Sequence, residues 1–168
     1  MVYTTEMIKE LKLKREEYTE YINNHISNVK IAFDRYGEIL AKKLNVPLSL
    51  LKQNIELHDN SKFSEEEFEA YRQYFYPCSF EEKDERKFNI AWDHHYQNNK
   101  HHPEYWVFNN ELQEMPNIWI AEMLLDWEAM SINFKDNTYD YYIRTRDKKP
   151  FHYTTLEKLD NIIEIFKE

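Results

Sequence analysis

At 168 residues the chain is one domain's worth of sequence, and its 42% apolar and 16% aromatic content is enough for a packed core, which argues against disorder. A formal net charge of −9 disfavours general binding to a nucleic-acid backbone, although a bound divalent ion would invert the local field for a small nucleotide. The one cysteine, Cys78, cannot form an internal disulfide, no stretch is apolar for the ~18 residues of a membrane span, and Met1 to Tyr21 is charged and amphipathic. The expectation is therefore a cytoplasmic protein with no membrane partner and no processed leader.

The apolar spacing predicts a first helix over Glu6 to Leu44, through Met7, Leu11, Tyr18, Ile22, His25, Val29, Phe33 and Leu40, long enough to expect a bend or break. His25 falls inside that stripe and should point inward. A second helix is expected after Pro47 with Ser49 as its cap, burying Leu51, Ile55 and His58. Ser64 and Glu67 have capping-box spacing and should start a helix through Phe68 and Tyr71; Ser79 and Glu82 should start the next, which carries Phe88, Ala91, Trp92 and His95 and frays at Gln97 to Lys100. His101-His102-Pro103-Glu104 reads as a turn or a new helical start. A helix over Asn117 to Phe134, opened by Pro116, aligns Trp119, Met123, Asp126 and Met130. Asp136 to Pro150 reads as a loop or, at Tyr139, Tyr141 and Tyr142, a short strand, and a Thr154–Glu157 capping box should open a last helix to Phe166. With Gly37 as the only glycine, tight sheet turns are disfavoured. The reading is all-α: one domain over 1–168, a bundle of about six helices.

The chemistry-bearing residues are concentrated. Six of the seven histidines lie between His25 and His102, including the doublets His94-His95 and His101-His102. Histidine with carboxylate suits Mn, Fe, Co, Ni or Zn better than calcium, and the absence of a Cys pair excludes a multi-thiolate zinc site. A carboxylate such as Glu104 or Glu122 could orient a ligating histidine. Asp126 in an apolar stripe is costly to bury alone; a salt bridge to Lys62 or Arg86 is the structural alternative to metal ligation. His95 shares the apolar side of its helix, whereas His94, about 100° round, should be exposed or should support a ligand rather than be one. Pro103 restricts His102 to an extended backbone, which favours it slightly over His101.

The ordered set His25, His58-Asp59 and Asp126 resembles the signature of the HD-domain metal-dependent phosphohydrolases, and His58-Asp59-Asn60-Ser61-Lys62 resembles the extended form of that motif. The resemblance implies an HD-like helical domain with one divalent transition metal held by His25, His58, Asp59 and Asp126. A second ion would be held by His95 and His102, with His94 and His101 as substitutes and Asp59 bridging. It implies hydrolysis of a nucleotide or related small phosphate ester, with Asp59 in the reaction, Lys62 clamping a phosphoryl oxygen and Glu122 orienting a histidine or relaying a proton. Trp92, Tyr96, Tyr105 and Trp106 flank these residues as base-stacking or packing groups. The chain is also similar, over roughly Ile22 to Met130, to small phage and bacterial proteins with an HD-SK run, a paired-histidine helix and an HHPE turn followed by Trp. It departs from the HD pattern in having Ser61 where many members have Gly, and in lacking the glycine-rich segment of the cyclic-dinucleotide branch. Two further readings stay open: a diiron oxygen-using or redox enzyme, and a non-catalytic phage or host interaction protein with a structural metal. The expected partner is a small phosphorylated metabolite or nucleotide, not a long nucleic acid; an oligomer is allowed.

Overall fold

A computed structural model describes residues 3–167 and is almost entirely helical. Among the described residues there are seven α-helices: α1 (Thr5–Leu44), α2 (Leu48–Leu57), α3 (Phe68–Phe75), α4 (Glu85–Asn98), α5 (Asn117–Phe134), α6 (Thr138–Thr145) and α7 (Tyr153–Ile162). A two-residue hairpin pairs β1 (Val107–Phe108) with β2 (Glu111–Leu112). No described helix is long and apolar enough to cross a membrane. The packing resolves into two compact units: one is the chain up to Asn24 with Asp59–Asn98, the other His25–His58 with the chain from Asn99 onward.

In the first unit, Tyr18 and Ile22 of α1, Tyr71 of α3 and Ala91 of α4 are buried. The rings of Tyr18 and Phe68 lie 5.2 Å apart and those of Tyr71 and Phe88 5.6 Å, in the offset and edge-on arrangements aromatic pairs prefer. Buried Arg72 is satisfied by carboxylates, with Nη2 donating to Glu69 at 3.1 Å and to Glu81 at 2.8 Å. Glu81 in turn accepts from the Cys78 amide at 2.8 Å, which closes the loop between α3 and α4. Glu10 of α1 fastens the same loop by accepting from the Ser79 amide and hydroxyl.

The second unit holds a contiguous apolar core. Val29, Ala32 and Leu40 of α1, Leu51 and Ile55 of α2, Leu124 and Leu125 of α5, Tyr142 of α6 and Leu159 of α7 all belong to it. Helix α1 ends in a Schellman arrangement: Asn45 is left-handed at φ 52°, and the Val46 amide donates to the Ala41 carbonyl at 2.9 Å. Asn117 at the start of α5 donates to the Leu44 carbonyl at 2.7 Å, occupying another acceptor at that helix end. Gly37 has a packing reason: a Cβ there would lie 2.8 Å from the Phe33 ring.

Several local expectations are corrected. Helix α1 runs its 40 residues without interruption. Ser49 does not cap α2, whose N-cap position is Pro47. The Ser64–Glu67 box does not form; α3 begins at Phe68, and Glu67 is turned to two histidines. Asp84, not Ser79, caps α4 by accepting from the Lys87 amide at 3.0 Å. His152, not Thr154, occupies the N-cap of α7. The tyrosine-rich segment is neither loop nor strand but α6, because Asn137 accepts from the Asp140 amide as an N-cap and Tyr142 is drawn into the core. The hairpin was not expected from a glycine-poor chain; Asn109 and Asn110, at φ 50° and 62°, supply the two left-handed turn residues instead.

Candidate functional site

In the second unit, three helices direct polar groups from apolar stripes toward one another. His25 of α1 and His58, which ends α2, are buried, and Asp126 of α5 keeps 14% of its side chain exposed. His25 Nε2 lies 3.1 Å from Asp126 Oδ1, His58 Nε2 3.6 Å from the same oxygen, and the two imidazole Nε2 atoms are 3.4 Å apart. Two donors each about 2.1 Å from one ion and roughly 90–110° apart would stand about 3.0–3.4 Å from each other, so two edges of this triangle have the spacing of ligands on a common cation and the third is slightly longer. His58, His101 and Asp126 can likewise each offer a ligand atom, all within 4.8 Å of one another.

Glu122, one helical turn before Asp126, sets the imidazole tautomers. Its Oε1 lies 2.9 Å from His58 Nδ1 and 3.1 Å from His101 Nδ1. Burial alone would raise its carboxyl pKa, but hydrogen bonds from His101 and His58 outweigh that and hold it at about 2. An ionised carboxylate can only accept, so both Nδ1 atoms donate and a neutral ring then carries its lone pair on Nε2. Asp126 is governed by the same balance: burial raises its pKa, and His25 and His58 bring it well below the ordinary value. Of the two carboxylates considered from the sequence, Glu122 lies within hydrogen-bond distance of histidines of this unit. In place of a salt bridge to Lys62 or Arg86, Asp126 faces two histidines of its own unit.

The second histidine doublet is ranked by packing. His101 is 1% exposed and bonded to Glu122, whereas His102 is only partly buried, its ring 4.3 Å from that of His101. His102 has the extended backbone expected before Pro103, φ −84° and ψ 131°. Within this unit the geometry ties His101, rather than the slightly favoured His102, to the carboxylate.

The first unit holds the other expected residues. Asp59 is 2% exposed and left-handed at φ 57°, an uncommon conformation for a residue with a side chain. Its Oδ2 lies 2.6 Å from Lys62 Nζ, and its Oδ1 is 3.5 Å from His95 Nε2. His95 is buried, as its stripe predicted; His94 keeps 32% of its side chain exposed. Sequence reasoning missed Glu67, which is 0% exposed and accepts from His94 Nδ1 and His95 Nδ1, each at 2.8 Å. Trp92 stacks on His95 with ring centroids 5.8 Å apart and meets Tyr96 edge-on at 5.9 Å. In the second unit, Trp106 is held by its indole N–H, which donates to the Lys100 carbonyl at 2.8 Å.

The chain is thus an all-α protein with a buried His/Asp cluster whose donor set suits a divalent transition metal. No curated protein and no solved structure matches it. Residues 14–165 match the family described as a family of unknown function, DUF5662, and the chain belongs to that family.

Proposed function

We propose that the protein is a metal-dependent phosphohydrolase acting on a nucleotide or related small phosphate ester, in the manner of the HD-domain enzymes its motifs resemble. The observation that carries this reading is the triangle of His25 Nε2, His58 Nε2 and Asp126 Oδ1, with edges of 3.1–3.6 Å. These three residues, with His101, are the proposed ligands of one divalent ion, from among Mn, Fe, Co, Ni and Zn. Asp59 and His95, in the first unit, are proposed separately as metal ligands. A bound ion would supply Lewis acidity toward a phosphoryl oxygen and would lower the pKa of water. The protein's own contribution is to fix the ligands: Glu122 holds two rings by Nδ1, so the lone pairs need no reorganisation. Lys62 is the proposed cation for substrate phosphate, a point charge suited to that group on a chain whose net charge of −9 otherwise repels it. A cytoplasmic location and a small phosphorylated partner go with this reading.

Elemental analysis of the purified protein, followed by a hydrolysis screen of nucleotides and sugar phosphates with added Mn, Co or Ni, tests the proposal. A bound transition metal, with phosphate release abolished in His58→Ala and Asp126→Ala, is the expected result. Metal without any hydrolysis would leave a structural site, and no metal in either wild type or reconstituted protein would remove the reading. The count of histidines paired with buried carboxylates also fits a diiron oxygen-using enzyme, which two irons per chain and visible absorbance would identify.

A further inference from the structure

The doublet His94-His95 sits on consecutive positions of α4, about 100° apart round the helix, so both rings cannot share one face. A single buried carboxylate nevertheless reaches both. Glu67 Oε1 lies 2.8 Å from His94 Nδ1 and Glu67 Oε2 lies 2.8 Å from His95 Nδ1. We propose that Glu67 is the positioning residue of this doublet: it fixes the proton of each ring on Nδ1 and thereby makes Nε2 of His95 the metal-donating atom. The inference rests on the metal reading above and adds a residue that the motif resemblance does not include.

Three observations support it. Glu67 is completely buried, so its charge needs the donors it has. The Ser61 hydroxyl also stands 3.4 Å from His95 Nδ1, a longer contact than that of Glu67. Finally, with its proton on Nδ1, His95 turns a lone pair on Nε2 toward Asp59 Oδ1 at 3.5 Å. A ring nitrogen lone pair and a carboxylate oxygen at that separation are two acceptors that one cation could bind together.

The test begins with metal-stripped protein carrying ¹⁵N-labelled histidine, read by long-range ¹H–¹⁵N correlation. His94 and His95 should both carry their proton on Nδ1; a His95 protonated on Nε2 overturns the proposal without any variant. In Glu67→Met, which removes both acceptors at similar volume, His95 should lose that preference, and the Co²⁺ affinity that depends on His95 should fall about 10–100-fold. In Glu67→Gln the amide can accept from one ring but must donate to the other, so one of the two rings should move its proton to Nε2. Unchanged tautomers in either variant overturn the proposal. If the wild-type tautomers are as expected but Co²⁺ does not bind at all, it is the metal reading that fails, and the role of Glu67 reduces to fixing two rings.

Discussion

Replacing Glu122 by Gln separates the orienting role of this carboxylate from mere packing, because the two side chains have nearly the same shape. In the wild-type protein Oε1 accepts from His58 Nδ1 at 2.9 Å and His101 Nδ1 at 3.1 Å, and Oε2 is buried without a hydrogen-bond partner. If the amide oxygen takes the Oε1 position, both contacts survive but change from charge-assisted to neutral, a loss of about 1 kcal/mol each, and an unsatisfied NH₂ occupies the Oε2 position at about 1–3 kcal/mol. If the amide is reversed, NH₂ faces two Nδ1 atoms, and at least one ring must move its proton to Nε2, where a metal would bind. Either way the ligands become less basic or wrongly protonated. The expected result is a 10–100-fold weaker Zn²⁺ affinity, equivalent to about 1.4–2.7 kcal/mol, measured by competition with a chromophoric chelator. The melting temperature in excess chelator should change separately and less predictably, because removing a buried anion offsets part of the lost bonding. A Zn²⁺ affinity within twofold of wild type would refute the argument that Glu122 presets the histidine tautomers.

Asp126→Asn and His25→Ala should each lower the metal retained after purification to a small fraction of wild type, read by elemental analysis; full occupancy in both would reject the triangle as a binding site. Glu81 is held at about 2, against an ordinary carboxyl value of 4.5, chiefly by its hydrogen bond from Arg72. A depressed carboxyl stabilises the fold above its unfolded pKa, so this contribution is complete above pH ~4.5 and is lost as pH falls toward ~2. Denaturant titrations of Glu81→Gln should therefore lose up to about 3 kcal/mol at neutral pH and show a flatter acid limb than wild type; parallel acid limbs would contradict the assignment. Leu124→Ala, at a fully buried core position of α5, should cost about 2–5 kcal/mol through lost burial and a cavity, visible as a lower thermal midpoint.

The sequence by itself determined the helical class, the bounds of α5 at Asn117–Phe134, and the inward placement of His25, His58, His95 and Asp126. For His25 and His95 the apolar residues of the helix recur at helical spacing, so periodicity states which face is buried; α5 is buried on several faces, from Ile120 to Leu125, and its bounds follow from its overall apolarity between Pro116 and Phe134. Local capping chemistry was less informative. Ser64, Ser79 and Thr154 have the right spacing for caps, but Glu67, Asp84 and His152 took roles that depend on neighbours distant in the chain or on turns the spacing does not encode. The hairpin could have been read from Asn109-Asn110, since asparagine tolerates the left-handed conformation that glycine usually supplies. Only the tertiary structure decided the supporting carboxylates. Glu67 lies in a run of three glutamates that reads as a solvated face, and nothing local distinguishes it from Glu65 and Glu66. Its burial arises because α4 brings His94 and His95 to it from 27 and 28 residues away, and Glu122 likewise joins His58 and His101 across separations that no periodicity measures. A side chain's exposure along a helix is a local property, but which charged group becomes the partner of which ring is fixed only when separate helices pack.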